Sequence, residues 1–191
     1  MARIAIIDGH PDPDRARFVH ALADAYEEGA RQFHSVDRID LATLDFPLLR
    51  SATDWKEGKP PAAIQPAQEI IRHAGHVAIF YPLWLGDVPA LLKGFLEQVL
   101  RPGFALGMGE SGFPKRLLKG RSARIVVTMG MPAPFYRIFY RAHSVKSLER
   151  NILRFVGFAP VRRSLIGNVE KSRAYREKWL ETMRELGRRG A

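Results

Sequence analysis

The 191-residue sequence contains no cysteine. That excludes a disulfide framework, a thiolate metal site, a cysteine nucleophile and Cys-x-x-Cys redox chemistry, so any redox function needs a bound cofactor. Long apolar runs are also missing. The nearly uncharged apolar stretch Val77 to Gly86 is about half the roughly 20 residues that a membrane helix requires, and Pro82 interrupts it. Met1 to Asp8 does not read as a secretory signal, because its apolar core is short and an aspartate ends it. The expectation is a cytoplasmic protein without a membrane span. No internal repeat or low-complexity tract is present.

What the chain does have is 46% hydrophobic residues, enough for one buried sheet with helices on both sides. At about 150 residues per domain, residues 1–191 read as a single domain. The formal charge is +10, and it is unevenly placed. Residues 1–112 carry 11 basic and 15 acidic side chains, whereas 113–191 carry 19 basic and 5 acidic. A basic half suits nucleic acid, an anionic membrane surface, a polyanionic partner or a phosphorylated ligand. It equally suits a solvated helical surface, the reading preferred for residues 171–191, whose Lys and Arg alternate with Glu177, Glu181 and Glu185. No nucleic-acid module accompanies the charge, so nucleic acid is not an expected partner.

Strands and helices alternate along the chain. Arg3 to Asp8 is a short β-branched apolar run ended by Gly9-His10-Pro11-Asp12-Pro13, a buried strand and a turn. Phe18 to Ala30 has helical spacing, and the alternating segment around Val36 to Leu41 is an edge strand. Residues 42–63 form a long loop, Ile64 to His73 a helix, His76 to Tyr81 a third strand, and Pro89 to Leu100 a helix with proline in its first turn. A second long loop covers 101–121. A fourth strand at Ala123 to Met129, a mostly helical segment over Tyr136 to Phe155 closed by Gly157, the strand Val161 to Ile166 and the helix Arg173 to Arg188 complete the order. This predicts an α/β fold: a doubly wound, five-stranded parallel sheet of order 2-1-3-4-5 with helices on both faces. Ligands of such sheets bind beyond the carboxyl ends of strands 1, 3 and 4.

All three loops at that edge are unusual. The first, Gly9 to Arg17, leads into a helix N-terminus that favours an anion, with His10, Arg15 and Arg17 as side-chain donors. It carries neither a Gly-x-Gly-x-x-Gly fingerprint nor a P-loop. His10 suits equally a turn residue capping its own loop. The second, Pro82-Leu83-Trp84-Leu85-Gly86-Asp87-Val88-Pro89, is too apolar for an ordinary solvent loop. Either a flat aromatic ligand covers it or Trp84 packs under residues 103–112. The third, Thr128-Met129-Gly130-Met131-Pro132, offers a hydroxyl and a glycine for close backbone approach.

The ordered set Gly9-His10-Pro11, Pro82-Leu83-Trp84, Val88-Pro89-Ala90-Leu91-Leu92-Lys93-Gly94, Gly103-Phe104-Ala105, Thr128-Met129-Gly130, Tyr136 and Ile152 to Phe158 resembles the NAD(P)H:quinone oxidoreductase family of flavodoxin-like proteins. The likeness covers nearly the whole chain. It implies a homodimeric reductase carrying FAD or FMN, which takes hydride from NAD(P)H and passes it to quinones or similar electrophiles. The related ancillary subunits of potassium-efflux systems share this fold, and the alternative expectation is a regulatory subunit that binds a membrane transporter or another protein, with peripheral membrane contact, through its basic C-terminal half and with little turnover. By position, His10 and Phe18 match flavin phosphate-side residues, Pro82, Leu83, Trp84 and Leu85 the loop against the isoalloxazine, and Thr128 and Gly130 the turn at the ring edge. Tyr136 matches the family tyrosine that hydrogen-bonds during hydride transfer, and His143 is the candidate for its histidine partner, one residue beyond the family spacing. Arg17 stands where the family has serine, Val19 where it has asparagine, Met131 where it has a second glycine and Leu85 where it has a ring-packing tryptophan. Phosphate binding would therefore lean on arginine or on backbone N–H groups. No metal site is expected.

Overall fold

The computed structural model describes residues 1–109 and 114–191. Five strands, β1 (Arg3–Asp8), β2 (Ser35–Asp40), β3 (His76–Pro82), β6 (Ser122–Thr128) and β7 (Val161–Ile166), form one parallel sheet in the order β2-β1-β3-β6-β7. A two-residue antiparallel ribbon, β4 (Leu106–Gly107) with β5 (Lys115–Arg116), lies inside the loop 101–121. With the ribbon set aside, the order is the 2-1-3-4-5 expected from the alternation. Residues 110–113 of that loop lie outside the described residues. The loop also holds a Gly-x-Gly-x-x-Gly spacing, Gly107 to Gly112, of which 110–112 lie outside the described residues.

The helices are α1 (Phe18–Ala30), α2 (Ala52–Glu57), α3 (Gln65–His73), α4 (Ala90–Val99), α5 (Ala133–Ile138), α6 (His143–Ser147), α7 (Arg154–Val156) and α8 (Arg173–Arg188). Side chains alternate across the buried strands, as a period of two demands. Ala5, Ile7, Val77, Ile79, Ile125 and Val127 pack toward α3 and α4. Ile4, Ile6, Ala78, Phe80 and Val126 pack toward Val19, Leu22 and Tyr26 of α1 and Met183 of α8.

Two expectations change. The loop 42–63 contains α2, whose first turn is capped by Ser51 Oγ accepting from the Asp54 N–H at 3.0 Å; its side chains are not buried, so no apolar period announces it. The segment 136–155, expected to be mostly helix, is helical but broken. Arg141 and Ala142 both take left-handed backbone angles, φ 52° and 47°, between α5 and α6. Beyond the break α6 runs through a π-helical turn at Leu148–Leu153 into α7. The break buries Tyr136 and Ala142 together while leaving Phe139 exposed, an arrangement that a continuous apolar stripe does not encode.

Candidate functional site

The carboxyl ends of β1, β3 and β6 lie side by side because these strands are neighbours in register, with Asp8 opposite Phe80 and Pro82 opposite Thr128. The Leu83 N–H donates to the Thr128 carbonyl at 2.8 Å, tying the second loop to the third. The first loop meets the second through side chains: the His10 ring lies 5.7 Å from Trp84, edge to face.

His10 is buried, and its Nδ1 accepts from the Asp12 N–H at 3.0 Å. That bond leaves Nε2 to carry the ring proton. Burial, followed by the neighbouring His20, pushes the His10 pKa down, so the ring stays neutral and offers one donor. At the start of α1 the Phe18 and Val19 N–H groups have no acceptor among the described residues.

The arginines of this loop are already engaged. Arg17 Nε and Nη2 lie 2.8 and 2.7 Å from Asp12 Oδ2, and Arg15 Nη2 lies 2.6 Å from Asp24 Oδ1. Beneath them is a buried charge cluster that sequence reasoning missed. Asp8, 1% exposed, receives Arg38 Nη2 at 2.7 Å and faces His20 Nδ1 at 2.6 Å. Arg38 also bonds Asp24, Glu27 and Asp40, and these partners raise its pKa against the opposing effect of its burial. A cavity of about 280 Å³ opens over Asp8, Arg15, Arg38 and Asp40. Its sequence signal is an aspartate ending an otherwise apolar buried strand.

The second loop is a tight turn. Trp84 and Asp87 exchange backbone hydrogen bonds of 3.0 and 2.9 Å around Leu85 and Gly86, both at positive φ (47° and 80°). Trp84 is half exposed and Leu85 fully so. Both line a cavity of about 460 Å³ that continues along Val88, Pro89 and Lys93 to Leu148 and Ile152. Trp84 thus contacts His10 and this cavity.

In the third loop Thr128 is buried, and a side chain at Gly130 would stand in open space, leaving room for close approach of a flat ligand. The Tyr81 hydroxyl, buried near Tyr136 and Asp87, has no hydrogen-bond partner among the described residues. Its pKa is driven upward by burial first and by those neighbours second.

The Tyr136–His143 pair is not formed. Tyr136 is fully buried, its hydroxyl 2.6 Å from Ser144 Oγ and 3.4 Å from the Val145 N–H. His143 is exposed, with Nδ1 3.0 Å from the Tyr140 carbonyl. The left-handed turn at Arg141–Ala142 shifts the chain so that Ser144, rather than His143, lies opposite the phenol. Among the described residues no His, Asp and Glu group is arranged to hold a metal ion, and no helix is long and apolar enough to cross a membrane.

Residues 2–186 match the family described as having the flavodoxin-like fold. An uncharacterized NAD(P)H oxidoreductase of Haemophilus influenzae is 30% identical over 169 residues, 86% of this chain and 83% of that protein. An FMN-dependent NADH:quinone oxidoreductase of Ruegeria pomeroyi is 27% identical over 128 residues, which span 59% of this chain and 63% of the relative. The solved NAD(P)H:quinone oxidoreductase of Methanothermobacter marburgensis superposes with a TM-score of 0.81 at 25% identity, covering 98% of this chain and 96% of that one. The chain belongs to the flavodoxin-like fold family, within which it stands among the NAD(P)H oxidoreductases.

Proposed function

We propose that the protein is an FMN-dependent NAD(P)H oxidoreductase that reduces quinones or similar electrophiles, working as a homodimer. The observation that carries this reading is the junction of His10 with Trp84: a neutral ring donor beside free helix N–H groups touches an aromatic side chain that lines an apolar cavity. An anionic tail and a flat ring system are what such a junction fits. Gly130 leaves the room the ring edge needs, and the orphaned Tyr81 hydroxyl is a polar group in want of a partner. These residues fit a flavin, which when bound supplies the hydride-accepting chemistry that this cysteine-free chain lacks.

In this reading His10, the first turn of α1 at Phe18, Arg15 and Arg17 hold the phosphate. Pro82, Leu83, Trp84 and Leu85 bound one side of the ring, and Thr128 and Gly130 its edge. Tyr136, held by Ser144, positions the wall behind that edge, and His143 stands at its exposed rim. The Trp84 cavity excludes water from one flank and admits nicotinamide and acceptor in turn. The exposed apolar residues Met108, Phe155 and Leu48 support a second subunit that closes the other flank, drawing on the loops 42–63 and 101–121.

Titrating purified protein with FMN while following flavin fluorescence, then reducing the complex anaerobically with NADH or NADPH, tests the reading. Quenching with a saturable endpoint and bleaching of the visible flavin band are expected. Failure to bind either FMN or FAD overturns the proposal. Sedimentation velocity showing only monomer overturns the dimer alone.

A further inference from the structure

The segment from α5 to α6 presents an apolar surface that the site does not use. Phe135, Ile138, Phe139 and Tyr140 are 47%, 72%, 68% and 38% exposed. Phe135 and Phe139 lie 5.0 Å apart and nearly parallel, and Tyr140 packs against both at 5.8 and 5.1 Å. Three aromatic rings in mutual contact at the surface form a contiguous patch rather than scattered exposed residues.

The charges around the patch are of one sign. Arg137, Arg141 and Lys146 are exposed, and none makes an ion pair among the described residues. Between Pro132 and Leu148 the sequence has no aspartate or glutamate. The contrast with α8 is direct: there Arg173 pairs with Glu177, Arg184 with Glu181 and Glu28, and Arg188 and Arg189 with Glu185. Among the described residues Arg173, Arg184, Arg188 and Arg189 are neutralised within the chain while Arg176 and Lys178 of α8 are not; beside α5 all three cations are left for something outside it.

We propose that the α5 patch docks the protein on an anionic lipid surface. Aromatic rings favour the headgroup level of a bilayer, and uncompensated arginines meet lipid phosphates there. A second copy of this chain is the poorer occupant. A two-fold contact through the patch sets Arg137 and Arg141 against a second Arg137 and Arg141, with no carboxylate in the patch to separate them. The contact does not depend on the flavin reading. Where that reading holds, docking carries the third loop, which leads directly from Thr128 and Gly130 into α5, to the phase in which apolar acceptors dissolve.

Co-sedimentation of the full chain with extruded vesicles tests this, comparing phosphatidylcholine alone with phosphatidylcholine carrying one quarter phosphatidylglycerol. Because the chain is +10 overall, general charge attraction has to be separated from the patch. Arg137→Glu with Arg141→Glu and, as control, Arg173→Glu with Arg176→Glu change the net charge equally. Ile138→Ser with Phe139→Ser removes apolar area without changing charge. Each basic residue at an anionic surface is worth roughly fivefold in partition. Wild type is expected to pellet only with the anionic vesicles, both patch variants to lose about tenfold or more, and the α8 control to stay within about threefold. Three results overturn the proposal: no binding to anionic vesicles; equal loss in the α8 control; or a lower sedimentation coefficient for Ile138→Ser/Phe139→Ser in the absence of lipid, which would mean the patch covers a second copy.

Discussion

Arg17 forms an ion pair with Asp12 at the mouth of α1, with both Nε and Nη2 on the same carboxylate oxygen at 2.8 and 2.7 Å. Asp14 stands 3.6 Å away as a second carboxylate. The Asp12 pKa is lowered first by the N–H of Asp14 and then by Arg17, so the carboxylate is ionised and competes with any phosphate for the guanidinium. Arg17→Ala is expected to weaken FMN binding about tenfold, the worth of a charged hydrogen bond, and to leave riboflavin, which lacks the phosphate, unaffected. Asp12→Asn is expected to tighten FMN several-fold. Fluorescence titrations with the two flavins check this; equal losses for both in Arg17→Ala would place the arginine at the ring instead.

The Tyr136–Ser144 contact leads to a different expectation. The phenol is buried and spends its hydroxyl inside the fold, while His143 is bound to the Tyr140 carbonyl at the surface. Tyr136→Phe leaves the Ser144 hydroxyl short of a partner and should cost about 1–2 kcal/mol of stability. His143→Ala should leave stopped-flow flavin reduction within about twofold, far from the hundredfold or more carried by a proton-transfer group. A large rate loss in His143→Ala with unchanged unfolding would reinstate the histidine as the partner of Tyr136 in the loaded enzyme.

The sheet was legible in the sequence because its central strands β1, β3 and β6 are short apolar runs bounded by turn residues, as strands buried on both faces have to be, while the edge strands β2 and β7 mix apolar with charged residues. The order of strands followed from the alternation, and the order placed His10, Trp84 and Thr128 at one edge before any geometry was known. The Asp8–His20–Arg38 cluster was not legible. Its members are 12 and 30 residues apart in sequence, and each alone reads as a strand end, a helix residue or an edge-strand arginine. The break at Arg141–Ala142 was hidden too, since neither residue type favours a left-handed backbone, and the turn is tied by tertiary backbone bonds such as Ala142 N–H to the Tyr136 carbonyl.

Helices α1 and α8 touch through their backbones. A methyl group at Gly29 would lie 2.0 Å from the Arg184 carbonyl oxygen, and one at Gly187 would lie 2.1 Å from that of Tyr26. Backbone cannot move aside as a side-chain tip can, so the helices would have to separate. Alanine ordinarily improves a helix by about 1 kcal/mol over glycine, but here Gly29→Ala and Gly187→Ala are each expected to lower stability by about 2–3 kcal/mol through overpacking. Urea unfolding measures this, and a stabilised Gly29→Ala would contradict the close crossing.

His76 should set the acid limit of stability. It begins β3, 3% exposed, with Nδ1 2.7 Å from Ser122 Oγ and with Nε2 lacking a partner among the described residues. Burial chiefly, then the charges of Arg124 and Arg162 and the nearby His34, push its pKa down to about 4. The unfolded chain takes up the proton near pH 6.5 and the native chain resists it until about pH 4. Between those values the unfolded state holds more protons, so stability falls as the pH falls and is flat above the window. The loss from pH 7 to pH 5 is about 2 kcal/mol for this one group. His10, also shifted down, adds a loss of the same sign, so the informative quantity is the difference between wild type and His76→Gln, which keeps a polar partner for Ser122 and does not titrate. Urea midpoints at the two pH values should show the variant losing about 2 kcal/mol less than wild type. Parallel pH profiles for the two proteins would mean that the native ring takes up its proton without penalty.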